Sequence, residues 1–555
     1  MQTKENKKKM ITIVILLIIG FIVLTCFLGI FHRGTVNLKQ VKKGTAKVIE
    51  KSAERKEVLS IYADDMAGSF HPAYAISYGD RIAVSLVFEP LMVRNSKGQL
   101  EKNLIKSLDV AEDGLTYKIV LKDNIVFSDQ TKLAVSDVFA SIAAMAMSGN
   151  GGAAINAYER IAGMAEFLEN PVEFPKGFVK LSETEMEIVF EEASPDNLLI
   201  METMIQKADF SKEKTDGEVV VENLECLRNG IGTGAYCFTN TSNGSICTLE
   251  ANQYFRESIG DIQRVEFSSV NYYDVPERVK SGTIDVVSCS GTSQLYEVFN
   301  EWEGFHVYRK PQETIYAIYY NQQNPVLNNL KVRQAIAYGF DRKGLEKEEI
   351  SRYVAFDEGI ALSTDYIKNT DSNSYSKSKA KKLLKEAADE IDGLNDEIVL
   401  SLPILRGNEI QKQLADALQK NFEEIGLKLD VCELSQQEYI QTIYLKMNFD
   451  LYLSGIAVEE QTSFYKNIYE PEGNLPIDIN DSAIQKAYEE LEKSYGLKEV
   501  QKAEANLCQA VIEASPMLVL GRDISYISVA ADLSGFEATP YGVLLNQVHK
   551  IRVKN

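Results

Sequence analysis

Along this chain the spacing of apolar positions changes character twice. Residues 10–31, "MITIVILLIIGFIVLTCFLGIF", are free of charge throughout, a run long enough to cross a bilayer core as one helix. Residues 32–56 are polar and lysine-rich, with Gly34 and Gly44, and predict a tether. From "VLSIYA" at Val58 to about residue 320, short strand patterns dominate. "LTYKIVL" and "TEMEIVF" alternate, "GAYCFTN" and "SICTLEA" predict the two arms of a hairpin, and "AVSDVFASIAAMA" is a helix among them. After residue 320 the period lengthens, and "VRQAIAYGFDRKGLEKE", "SKSKAKKLLKEAADE" and "NEIQKQLADALQKNFEEIG" all read as helices. In the last of these Ile410, Leu414, Leu418, Phe422 and Ile425 make one stripe closed by Gly426. The strand "LKLDVCEL" follows. The pattern therefore predicts an α/β unit after residue 320, joined to a strand-richer first part through "ETIYAIYYN" and built without an internal repeat.

A length of 555 residues exceeds what one core serves and predicts three or four structural units packed as two lobes. With 45% hydrophobic and 25% charged residues the chain is of ordinary globular composition. The net charge of -21 excludes nucleic-acid partners, which need a basic footprint. At the N-terminus Lys7, Lys8 and Lys9 abut the apolar run, while Arg33, Lys39, Lys42, Lys43 and Lys47 lie beyond it. Charge alone does not fix the orientation. Long domains translocate with little regard to their own charge, so the bulk of the protein is expected outside the cytoplasm on a single-pass cell-membrane anchor, with residues 1–9 inside. No small-x-small cleavage site ends the run, which favours an uncleaved helix. The alternative is a lipoprotein anchored at Cys26 of "VLTC", against which stand Thr25 and the apolar continuation "FLGIF".

Seven cysteines are too few and too scattered for a disulfide scaffold. Cys237 and Cys247 flank "TNTSNGS" and are either bridged across the hairpin or two unpaired buried thiols. The histidines, His32, His71, His306 and His549, have no second ligand at helical spacing, and there is no H-E-x-x-H, phosphate loop or G-x-S-x-G. No metal or cofactor is expected. "NGIGTGAY" lacks the third glycine of a dinucleotide fingerprint and precedes a strand, so Gly230, Gly232 and Gly234 predict a tight turn. In "SGIAVEEQTSF" the adjacent acids Glu459 and Glu460 are either an acid–base pair or a solvated loop. No catalytic set is visible, and an enzyme is not expected.

A series of motifs carries a resemblance. Residues 86–142, "LVFEPLMVRNSKGQLEKNLIKSLDVAEDGLTYKIVLKDNIVFSDQTKLAVSDVFASI", resemble the signature segment of extracellular solute-binding proteins of family 5, which serve peptide and nickel ABC transporters. "GTGAYCF" with "LEANQYF", "VKSGTIDVV", "IYYNQQNPVLNNLKVRQAIAYGFDR", "YSKSKAKKLLKEA" and "FDLYLSGIA" continue the likeness in order. Gln130 stands where the family mostly has Gly, and Ala235 where it mostly has Pro.

The resemblance implies an α/β, two-lobed, periplasmic-binding-protein-like fold of type II, the large class with an extra subdomain, here preceded by the transmembrane helix. Lobe I would combine residues 57–85, 230–315 and 505–555, the extra subdomain would be 86–229, and lobe II 316–504. Chain crossings at 315–321 and 505–520 would hinge closure. In the oligopeptide-binding members the peptide lies extended and pairs its backbone with one segment from each lobe. By resemblance those segments are Ile76, Ser77 and Tyr78 in lobe I, and Gly455, Ile456 and Ala457 in lobe II. Ala457 stands where those members hold the ligand's amine with an aspartate, so either Glu459 or Glu460 takes over, or the ligand has no free amine. The implied role is capture of oligopeptides for ABC permease subunits. The alternatives are a nickel chelate or other non-peptide solute, a signalling receptor, and, as a minor one, an extracellular hydrolase.

Overall fold

The computed structural model describes residues 39–44, 57–62, 66–94, 100–171, 173–208, 230–241, 246–268, 270–290, 293–356, 375–391, 398–457, 481–535 and 547–554. Residues 10–31, with Cys26, lie outside them. No helix of the described residues is long and apolar enough to cross a membrane.

A ten-stranded mixed sheet organises the molecule. Its strands are β1 (Lys39–Lys42), β2 (Val58–Tyr62), β3 (Tyr236–Asn240), β4 (Ile246–Ala251), β5 (Arg264–Ser268), β6 (Val286–Ser290), β7 (Phe305–Tyr320), β8 (Val354–Ala355), β9 (Leu451–Ala457) and β10 (Met517–Ala530). In space they run β1-β7-β10-β6-β2-β5-β4-β3, with β8 added to β10 and β9 to β7. β3 and β4 are the hairpin that the alternation predicts.

The long strands β7 and β10 join two separate cores. Phe305, Val307, Ile524 and Ile527 pack with β2, β5 and the helix Tyr78–Val87. Further along the same strands, Ile318, Tyr320, Leu518 and Leu520 pack with the helices Leu330–Gly339 and Glu409–Ile425. The latter helix buries Leu414, Leu418, Phe422 and Ile425 and stops at Gly426 in the left-handed conformation (φ 95°), a turn that glycine adopts without steric cost. Between the two cores the β7–β10 ladder is irregular: its register shifts between Pro311 and Ile315 and again between Tyr316 and Ala317. A ladder interrupted at this point is the natural place for bending. The fold is thus two α/β lobes sharing two strands.

A third core lies in residues 91–205, where a four-stranded sheet and the helix Val135–Ser148 pack around Tyr117, Phe127 and Ile188. It continues into Tyr319, Tyr452 and the helices Ser482–Glu492 and Leu497–Ala514. The extra unit therefore rests on elements of the second lobe. Residue 505, taken from the sequence as the return to lobe I, falls inside the helix Leu497–Ala514, because Val500, Ala503, Leu507 and Val511 share one buried face. The chain crosses later, in β10.

Two further sequence expectations are revised. Within the stretch read as a tether, Lys39–Lys42 forms β1 on the outer edge of β7. An edge strand offers unpaired backbone groups, and Lys42 holds the addition in place by donating Nζ to the carbonyls of Phe299 (2.9 Å) and Trp302 (2.6 Å) at the end of the helix Gln294–Glu301. Cys237 and Cys247 form no disulfide. The register sets Cys237 opposite Glu250 and Cys247 opposite Phe267, so the two thiols belong to different rows.

Gln130 occupies a left-handed turn (φ 71°) between Phe127 and Thr131. A side chain there is strained and glycine is not. Gln130→Gly should stabilise the protein by about 0.5–1 kcal/mol, read as a higher urea midpoint at unchanged slope. A lower midpoint would refute the strain.

Candidate ligand-binding site

The loop before the helix Tyr78–Val87 is fixed from beneath. Asp80, fully buried, accepts from the backbone N–H of Gly68 (3.0 Å) and Ser69 (2.9 Å). The Ser77 hydroxyl caps the helix by accepting from Asp80 N–H (3.2 Å), so this side chain serves the fold and leaves only its backbone for a ligand. Ile76, on the pinned loop, is 48% exposed. Tyr78 opens the helix, and its ring lies 5.9 Å from Nζ of Lys310 on β7. Lys310 is itself buried.

The second segment reaches the same strand from the other lobe. In β9, Gly455 pairs with Tyr316, Ile456 with Ile315 and Ala457 with Thr314. Among the described residues no strand forms a ladder with the other edge of β9; the strand Ile398–Leu405 lies beside it, and Gln411 Nε2 donates to the carbonyl of Leu453 (3.3 Å). A Cβ on Gly455 would stand 3.2 Å from Thr314 Cγ2 and 3.3 Å from the Tyr316 ring, a close approach that suits glycine. The two sequence-predicted segments thus flank one stretch of β7, residues 310–316, at the irregular crossing between the lobes. Glu459 and Glu460 lie outside the described residues.

Four polar residues that sequence reasoning missed, Lys310, Gln312, Asp523 and Ser525, stand at the crossing. Lys310 pairs in register with Ser525, and Gln312 donates its Nε2 to the Ser525 hydroxyl. Just beyond, residues 312–314 of β7 bulge opposite the single residue Asp523 of β10. Burial pushes the Asp523 carboxyl up to about 6, moderated by the N–H of Ile524. A signal for it existed: "MLVLGRDISYISVA" interrupts a long apolar strand with a charged pair.

The raised value has a sign. The folded protein holds the Asp523 proton more tightly than the unfolded chain, so stability is full below about pH 4 and is lost as pH rises through about 6. Asp523→Asn should therefore match the parent near pH 4 and exceed it by about 2–3 kcal/mol near pH 8. Unfolding free energies that differ equally at both pH values would contradict this. Among the described side chains of β7 and β10 the charged group on the same face is Lys310, and β8 brings Val354 opposite Asp523.

Two α/β lobes thus share two crossing strands, with β9 from one lobe and the loop before the helix Tyr78–Val87 from the other on either side of one stretch of β7. The sequence pattern of the bacterial extracellular solute-binding proteins, family 5, middle region, matches residues 99–474, and the chain belongs to this family. It is a substrate-binding protein of the ABC-transporter class and not an enzyme. The oligopeptide-binding protein AppA of Bacillus subtilis is 20% identical over 502 residues, covering 86% of this chain and 88% of the relative. The fold is shared with the ABC transporter substrate-binding protein CtaP of Listeria monocytogenes (TM-score 0.65, 19% identity, 90% of this chain and 99% of that one). It is shared as well with a nickel ABC transporter structure from Bacillus halodurans (TM-score 0.68, 16% identity, 90% and 100%).

Proposed function

We propose that the protein captures oligopeptides on the extracytoplasmic side and delivers them to ABC permease subunits. The observation that carries this reading is that Tyr78, beside Lys310, and residues 455–457, paired with residues 314–316, flank one stretch of β7, where the other edge of β9 forms no further ladder among the described residues. A peptide laid along that edge gains backbone hydrogen bonds whatever its side chains, which is what a carrier of many sequences needs. The relation to an oligopeptide-binding protein over most of both chains supports the same ligand class. Residues 57–85 and 230–315 with most of β10 serve as lobe I, 86–229 as the extra subdomain, and 316 through the helix Leu497–Ala514 as lobe II.

Binding of a mixture of synthetic peptides should slow amide hydrogen exchange at residues 76–78 and 455–457 together. Protection elsewhere without protection of either segment would defeat the assignment. We further propose that residues 10–31 anchor the protein in the membrane, which β1 would hold close to lobe I. The mass of the membrane-extracted chain decides: an unmodified N-terminal helix is expected, and a diacylglyceryl group on Cys26 would replace it with a lipid anchor.

A further inference from the structure

The crossing strands have two faces, and they carry different things. Successive strand residues point to opposite faces, and in the register Lys310 pairs with Ser525 while Arg309 pairs with Tyr526. The Lys310 face is the one on which the Tyr78 ring lies, so it carries the loop of residues 76–78. Both segments assigned to the ligand meet solvent here: Ile76 is about half exposed and Gly455 is exposed. The cleft on this face stands open.

On the Arg309 face the two lobes touch. The helix Gln294–Glu301 of lobe I packs there, Phe299 against Phe305 (ring centroids 5.6 Å apart) and Tyr296 against Tyr526 (4.3 Å). Leu295 and Phe299 root this helix in the lobe I core. Residues 346–353 approach it from lobe II, where Leu345 and Ile350 are core. The Arg352 guanidinium lies 4.4 Å from the Tyr296 ring centroid and pairs with Glu297, and the Tyr526 hydroxyl donates to the Arg352 carbonyl (3.1 Å). The Arg309–Glu346 pair lies on this face too, next to the irregular stretch of the ladder. Glu297 is exposed and Arg352 partly so, and neither side chain belongs to a lobe's apolar core.

Lobes that bend about shared strands move in opposite senses on the two faces, so a motion that shuts the Lys310 face parts the Arg309 face. A contact present in the open arrangement and lost on closure reduces the closed fraction, and apparent affinity falls with that fraction. We propose that Arg352, with Tyr296 and Glu297, is a latch behind the crossing that holds the cleft open, so that these three residues set ligand affinity without touching the ligand. They are positioning residues. The proposal rests on the oligopeptide reading above and adds what regulates that site.

The test uses the full-length chain in detergent and one synthetic peptide, chosen from a mixture by retention on the parent protein and titrated calorimetrically. Arg352→Gln removes the cation from both Tyr296 and Glu297 and should bind the peptide roughly three- to thirtyfold more tightly, the range set by a cation–ring contact plus an exposed ion pair. Glu297→Gln should tighten binding less, by roughly two- to fivefold, and Arg352→Lys, which keeps a cation above Tyr296, should stay nearer the parent than Arg352→Gln. Without peptide, amide exchange at residues 76–78 should already be slower in Arg352→Gln than in the parent. A side chain that merely supported the fold would, when removed, weaken binding or leave it alone. Unchanged or weaker binding by Arg352→Gln or Glu297→Gln would therefore overturn the latch and leave the peptide reading intact. Failure of the parent to retain any peptide of the mixture would remove both.

Discussion

Replacing Arg309 by methionine is expected to cost about 3–5 kcal/mol, the largest loss from any single change considered for this fold. Arg309 lies on β7 just before the crossing and is 6% exposed. Its guanidinium donates two bonds to Glu346, Nη1 to Oε2 at 2.8 Å and Nη2 to Oε1 at 2.9 Å. Glu346 follows the helix Arg342–Leu345 of the second lobe, and its Oε1 also accepts from Phe356 N–H at 2.6 Å. The pair thus pins the first lobe's part of β7 to the second lobe beside the irregular ladder. Removing only the cation leaves a desolvated carboxylate with reduced compensation. The double variant Arg309→Met with Glu346→Leu should recover most of the loss, because two apolar groups of similar volume carry no desolvation cost. A single variant within about 1 kcal/mol of the parent in urea unfolding would show that the pair is not structural.

Gly232→Ala should cost about 3 kcal/mol or more, for a backbone reason. A Cβ at this position would stand 1.9 Å from the carbonyl oxygen and 2.7 Å from the carbonyl carbon of Val87. Neither atom belongs to a flexible side chain, so the strand and helix must part. The same region carries the hydrogen bonds Gly234 N–H to Val87 O (2.9 Å), Ser128 N–H to Gly232 O (3.0 Å) and Asn252 Nδ2 to Gly234 O (2.8 Å), which tie the extra subdomain, the helix Tyr78–Val87 and β3 together. Gly230→Ala is the comparison: among the described residues only Phe238 lies within 4 Å, at 3.5 Å, and the positive φ of 62° should cost about 1 kcal/mol. Equal losses at the two positions would mean that conformation, and not the close approach, selects the glycines of "NGIGTGAY".

That motif shows what the sequence makes legible. Glycine spacing and the following strand pattern separate a tight turn from a phosphate cradle, and the stripe from Ile410 to Ile425 predicts its helix to the capping glycine. Periodicity is local, so helices, the hairpin and the change of texture near residue 320 are readable. Register is not local. Whether Cys237 meets Cys247, or Asp523 falls opposite a bulge of β7, depends on which strands pair and with what offset, and one residue of slip would turn each side chain to the other face. The same limit explains β1: its residues are polar and lysine-rich, and only the unpaired edge of β7, far along the chain, makes them a strand. Asp80 was hidden differently, since its role is to hold a loop backbone and a lone acid near a helix start looks like ordinary capping.

The central claim is that an extended peptide is held intact between the two lobes. Native mass spectrometry of the full-length protein, released from detergent after incubation with a mixture of synthetic peptides, tests it most directly. One intact peptide per chain is expected, lost from the complex when residues 455–457 are blocked by Gly455→Trp. Peptide fragments in place of intact ligand, or binding that Gly455→Trp leaves unchanged, would contradict it.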